Sequence, residues 1–233
     1  MKAAPLHPDI EMIQIVANAL GPLKDQVVFV GGATTTLYID DPAAPTPVAT
    51  QDVDCVVELS NLFLFTELEK KLRKLGFKQP VAEPNPPICR WGLGEIVVDI
   101  MPSDPKILGF SNPWYPEGIA HKEARALPNG STIFIFSLPF FVGTKLEAVK
   151  NRAGNDLRFS HDLEDIVLVL SGSSNASKDL SAAPQILKNY LKKEFGRLLK
   201  DPLFSEAVSG TLAIRNEDAK RADNVIALIR QLP

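Results

Sequence analysis

At 233 residues the chain is long enough for one large domain or two small ones, with ample core for autonomous folding. Its 45% hydrophobic and 23% charged content is that of an ordinary soluble globular protein, and no run of about 18 apolar residues reads as a membrane span. Two cysteines, Cys55 and Cys89, lack a CxxC partner, which excludes a CxxC-type zinc site and fits a reducing compartment. The opening MKAAPLHPDIEMIQ lacks the apolar core of a signal peptide, so a cytoplasmic protein with no membrane partner is expected. A net charge of −3 excludes a polyanion binder driven by bulk charge alone. The charge is uneven, however: residues 1–140 carry 11 Lys/Arg against 16 Asp/Glu, and residues 141–200 carry 10 against 7. Such a division suits a site that takes metals on an acidic side and phosphates on a basic one, as well as it suits chance.

In chain order, Ile10, Ile13, Val16, Ala17 and Leu20 recur at helical spacing before Gly21-Pro22, which predicts a helix over 8–21. Val27–Val30 reads as a short buried strand, Ala33–Tyr38 as a helical turn or two, and the proline-rich Asp40–Gln51 as a loop. Asp52–Glu58 alternates as a strand, with Cys55 on its core side. Phe65, Leu68, Leu72 and Leu75 predict a helix closed by Gly76. Ile88–Trp91 and Glu95–Met101 read as strands joined by a Gly92-Leu93-Gly94 turn. GFSNPWYPEG is irregular, and a hairpin from Arg125 to Phe136 turns around Pro128-Asn129-Gly130. Helices are expected over 139–152, 160–171, 183–199 and 217–231, with the polar stretch SGSSNASKDLSA between them. Strands first and helices last imply an α/β (α+β) amino-terminal domain, residues 1–137, and a helical domain, residues 138–233.

Three features carry chemistry. Gly31-Gly32 at the end of a strand lets the backbone turn sharply and approach a ligand. Asp52 and Asp54, two residues apart in a strand, point to one face. Asp99 lies in the apolar strand EIVVDIMP, where an ionised carboxylate is costly unless paired or bound to metal. Together the three acids are expected to offset two Mg²⁺ ions, which take oxygen ligands from carboxylates, water and substrate phosphates. Two such ions, about 4 Å apart, activate an attacking oxygen and stabilise the leaving one. Mn²⁺ is the expected substitute.

Gly31-Gly32, Asp52-x-Asp54 and a lone strand Asp99 in this order resemble the nucleotidyltransferase fold of the DNA polymerase β superfamily. TKLEAVKNR at 144–152 and HDLEDIVLVL at 161–170 further resemble the AbiEii family of abortive-infection toxins, from about residue 10 to 172. The resemblance implies a mixed sheet with flanking helices, followed by a helical domain that closes a nucleotide cleft. It implies that Gly31 and Gly32 meet the triphosphate, that Asp52 and Asp54 bind metal, and that Asp99 ligates metal and accepts the acceptor's proton. Lys145 would hold triphosphate oxygens, Arg152 would extend that cationic strip, and Asp162 and Asp165 would position or activate the acceptor. The sequence departs from the superfamily in two places. The Gly32–Asp52 spacer is 19 residues and rich in proline, and Ala33 stands where many relatives carry serine. One of Thr34, Thr35 and Thr36 would supply the hydroxyl instead, and Thr34 is carried as the candidate.

The expected reaction is transfer of a nucleoside monophosphate from an NTP to a hydroxyl, with pyrophosphate released. By resemblance the acceptor is the 3′ end of a tRNA or a protein hydroxyl, and the partner is an antitoxin protein. Two alternatives stand: a small-molecule enzyme of the same fold that adenylylates an aminoglycoside or lincosamide, and a catalytically silent nucleotide- or partner-binding protein. The remaining polar residues have plainer readings. Asp162 follows Ser160 and also fits a simple helix first turn, and His121 is a surface residue. Trp114 and Tyr115 pack a loop, and Arg90 is weighed as a phosphate contact.

Overall fold

The computed structural model describes residues 5–80, 86–152, 156–213 and 219–232. Six strands occur in it: β1 Val27–Val30, β2 Asp52–Val57, β3 Arg90–Leu93, β4 Ile96–Pro102, β5 Lys122–Ala126 and β6 Thr132–Phe136. The helices are α1 Pro8–Leu20, α2 Leu62–Lys74, α3 Pro105–Leu108, α4 Tyr115–Ala120 and α5 Leu138–Arg152, then α6 His161–Gly172, α7 Ala176–Ala182, α8 Gln185–Leu198, α9 Phe204–Ala213 and α10 Ala219–Arg230. None of them, among the described residues, is long and apolar enough to cross a membrane. Two compact units result. One comprises the chain up to Thr34 together with Ala49–Ser137, and the other comprises Thr35–Val48 with the chain from Leu138 onward.

The first unit holds the whole sheet, in the order β3-β4-β2-β1-β6-β5. All four residues of β1 are buried, as a central strand with apolar residues on both faces requires. β2 pairs antiparallel with β1 and parallel with β4, so Asp54 stands between Val30 on one side and Asp99 on the other. Helix α1 starts at His7, whose ring accepts from the Asp9 amide at 3.3 Å, and stops at Gly21 with φ 54°. Helix α2 is capped by Asn61, which accepts from the Leu64 amide at 3.0 Å. Of the predicted stripe, Phe65, Leu68 and Leu72 are buried, worth about 1.5–3 kcal/mol for each side chain, while Leu75 is the C-cap and stands exposed because the helix ends at Lys74.

One register differs from expectation. The β3–β4 turn lies at Gly94, with φ 59°, while Gly92 is a strand residue opposite Val97 and exchanges two backbone hydrogen bonds with Lys78. Only Gly94 sits at the turn with a positive φ, because Gly92 is needed in the ladder. The hairpin closes around Gly130 as expected, but β5 begins earlier, at Lys122. The GFSNPWYPEG region contributes α4, with Trp114 buried and Tyr115 packed against Phe136 at 6.1 Å between ring centres.

The second unit is helical. Helix α5 packs against α6 and α8, and α9 packs against α6 and α10. Ser160 caps α6 by accepting from the Leu163 amide at 3.3 Å. The loop Thr35–Val48 belongs to this unit, and the amides of Asp40 and Asp41 both donate to the Gly172 carbonyl at 3.0 Å. Helix α9 is not evident from the sequence, since Ser205, Ser209, Gly210 and Thr211 are weak helix formers. Burial of Phe204, Ala207, Val208 and Leu212 along one face overrides that weakness. Helix α7 likewise forms inside the polar stretch by burying Ala176 and Leu180. Residues 217 and 218, where the last helix is expected to begin, lie outside the described residues.

Candidate active site

The pleat of β2 sends Asp52 and Asp54 to one face while Val53 and Cys55 go fully buried on the other. Because β2 and β4 run parallel in register, Asp54 and Asp99 are direct cross-strand partners. Asp52, Asp54 and Asp99 each offer a carboxylate oxygen, all within 4.8 Å of one another. At that spacing two carboxylates repel by roughly 3–4 kcal/mol at an effective dielectric of about 20. An all-oxygen, strongly anionic cluster on a rigid sheet is what Mg²⁺ or Mn²⁺ requires, so these residues fit a divalent cation.

The glycine turn abuts the acids. Gly31 has φ 76°, and a Cβ there would collide with the Asp54 carboxylate, its Cγ lying 3.0 Å away. Only glycine lets the chain leave β1 beside that carboxylate. The buried Thr34 hydroxyl donates to the Gly31 carbonyl at 2.9 Å, and so fixes the turn from within. The Thr35 hydroxyl belongs to the second unit, where it donates to Asp165 at 3.0 Å.

Two supports escape sequence reasoning. Asp9, fully buried on α1, accepts from the Thr50 amide at 2.9 Å, and the Thr50 hydroxyl donates to the Asp52 carbonyl at 2.9 Å. This relay pins the backbone where β2 begins. Arg90 on β3 pairs with Asp99 on β4, donating from Nε to Oδ1 at 3.0 Å and from a terminal nitrogen to Oδ2 at 2.8 Å. The signal for that second pair was the position of the turn glycine: a turn at Gly94 puts Arg90 opposite Asp99.

The field of the acids is felt by the thiols beneath them. Burial first, then the charge of Asp99, pushes the Cys89 thiol up to about 11. Burial, followed by Asp54, raises Cys55 well above its ordinary value.

The other predicted residues gather in the second unit. Lys145 of α5 reaches two carboxylates one turn apart on α6, Asp162 at 3.0 Å and Asp165 at 2.5 Å. Arg152 adds a contact to Asp162 at 3.1 Å while remaining largely exposed. Burial alone pulls the Lys145 ammonium down, but Asp165 and then Asp162 outweigh it, so the net direction is up. Thus the Lys145 ammonium has two protein carboxylates as partners, and Asp162 does more than oppose the helix dipole. His121 is exposed and lies 2.9 Å from the Glu117 carbonyl through Nδ1.

Comparison with protein-family models gave no match, and comparison with curated proteins gave none. Among solved structures, the chain is similar to the antibiotic-resistance factor ANT(2'')-Ia, an aminoglycoside nucleotidyltransferase. The TM-score is 0.51 at 14% identity, covering 82% of this chain and 94% of that one. The likeness shows a nucleotidyltransferase fold.

Proposed function

We propose that the chain is a divalent-cation-dependent nucleotidyltransferase that moves a nucleoside monophosphate from an NTP to a hydroxyl. The observation that carries this reading is the convergence of Asp52, Asp54 and Asp99 within 4.8 Å, beside a turn only Gly31 can make. Asp52 and Asp54 would hold the cation, with Asp99 as the third oxygen donor and the acceptor of the hydroxyl proton. Bound Mg²⁺ or Mn²⁺ would supply Lewis-acid stabilisation of charge on the transferred phosphoryl group. By resemblance, Gly31 and Gly32 would meet the triphosphate through their backbone. By the same resemblance, Lys145 and Arg152 bear on the triphosphate and Asp162 and Asp165 on the acceptor, and the ion pairs of Lys145 with both acids would hold its ammonium in one place.

For the acceptor, the AbiEii-like segments TKLEAVKNR and HDLEDIVLVL support the 3′ end of a tRNA or a protein hydroxyl, and so a toxin countered by an antitoxin. The basic excess of residues 141–200 suits an RNA acceptor, whose binding weakens steeply with salt. The fold likeness to ANT(2'')-Ia supports a second reading, a small polyhydroxylated antibiotic as acceptor. The test is incubation with each α-labelled NTP, Mg²⁺, total RNA, cell protein and an aminoglycoside together. Label in RNA that falls as salt rises is the expected result, and label in the antibiotic alone overturns the toxin reading. Transfer by Asp54→Asn at the parental rate would overturn the three-carboxylate assignment itself.

A further inference from the structure

Three converging carboxylates carry a formal charge of −3, and the fold places the permanent cation of Arg90 against Asp99. Arg90 holds both oxygens of Asp99 in a two-pronged contact, at 3.0 and 2.8 Å. The pair is well enclosed, with side-chain exposures of 27% for Arg90 and 12% for Asp99. Arg90 does not meet Asp99 through a flexible reach. The two residues are cross-strand neighbours in a hairpin whose register is set by Gly94, so the guanidinium is delivered by the backbone itself. Planar guanidinium–carboxylate pairing of this kind is specific in geometry and stays charged at any physiological pH.

Resting on the carboxylate reading of the site, we infer that Arg90 is a resident counter-ion of the cluster, which a divalent cation must compete with for Asp99. Arg90 relieves the mutual repulsion of the three acids when no cation is present and lowers their net charge from −3 to −2. It thereby loosens cation binding while holding Asp99 in register with Asp54. Arg90 is a positioning residue in this account, acting through Asp99.

The prediction has a sign that simple structural damage does not share. A damaged site binds cations more weakly, whereas removing a competing positive charge makes it bind more tightly. Mn²⁺ is the probe, and the readout is loss of the free-ion electron paramagnetic resonance signal on titration of the full-length protein without nucleotide. Arg90→Met should tighten Mn²⁺ binding by about tenfold or more, the lower figure being the scale of one unit charge lost a few ångströms from a divalent ion under water-like screening. Its melting temperature should be lower than the parent's without cation and should rise more when Mn²⁺ is added. Arg90→Lys, which keeps the charge but loses the fork, should bind with an affinity between the two. Should Arg90→Met fail to fold, the lysine variant decides the matter, since it too must bind more tightly than the parent.

Equal or weaker Mn²⁺ binding by the folded variants, with the parent binding normally and Asp54→Asn binding poorly, overturns the inference and leaves the function reading standing. Absence of Mn²⁺ binding by the parent and both Arg90 variants overturns inference and reading together.

Discussion

Gly31 and Asp54 are so close that a side chain at the first would displace the carboxylate of the second. The glycine turn and the strand that carries Asp54 are therefore one device: the backbone that leaves β1 is shaped around the Asp54 side chain. Gly31→Ala should impose two penalties, about 1–2 kcal/mol for the left-handed backbone and a further one for moving Asp54. Gly130→Ala is the control, since Gly130 has φ 83° with nothing within 4 Å of an added Cβ. Denaturant unfolding should show Gly31→Ala to be the more destabilised, and Mn²⁺ titration should show weakened binding in Gly31→Ala alone. Equal stability loss in the two variants would mean that Asp54 yields without resistance.

Asp9 acts on the site from another element. Its buried carboxylate holds the Thr50 amide, and Thr50 in turn holds the Asp52 carbonyl. Asp9→Ala should cost about 1.5–3 kcal/mol, the range for hydrogen bonds to charged groups, and should weaken Mn²⁺ binding through the loosened start of β2. Asp9→Asn retains an acceptor and should recover part of both. Parental cation affinity in the alanine variant would confine Asp9 to a structural role.

Lys145 is held by Asp162 and Asp165, so its removal is expected first as a loss of stability. Lys145→Met removes the ammonium shared by two enclosed carboxylates one turn apart, leaving Asp162 to the exposed Arg152 and Asp165 to the Thr35 hydroxyl, at a cost of up to about 3–5 kcal/mol. The pH dependence has a definite sign. The folded-state pKa lies above the ordinary 10.5, so the contribution is fully present below that value. It is lost as pH rises through the raised one. Unfolding measured between about pH 7 and pH 11 should show the parent losing its advantage over Lys145→Met only at the alkaline end. A variant as stable as the parent at neutral pH, with weakened NTP binding, would show that Lys145 serves the triphosphate alone.

Cys55 and Cys89 are buried beneath the acidic cluster, and burial with the nearby carboxylates raises both thiols. Neither should react with a thiol reagent at pH 8 in the folded protein, and both should react once it is unfolded. Alkylation followed by mass spectrometry reads this directly. Rapid labelling of Cys89 in the folded state would show that the sheet opens at β3–β4.

Much of the local structure of both units could be read from pattern, because helical and strand periodicity follow from backbone geometry over a few residues. The stripe of α2, the cap at Ser160, the placement of Asp52 and Asp54 on one face and the burial of Cys55 all follow in this way. The sequence by itself also determined which acids and glycines were candidates, since carboxylates in apolar strands are costly without a purpose. Tertiary structure decided how those residues are partnered. The two-residue difference in the β3–β4 turn decided that Arg90, not a residue nearer the amino terminus, stands opposite Asp99. Lys145 meets Asp162 and Asp165 across 17 and 20 residues of chain, and Asp9 meets Thr50 across 41, separations over which no periodicity reports. Charge and burial select such pairs only after the strands and helices have become neighbours, which is why the chemistry of single residues was legible and its balance of charge was not.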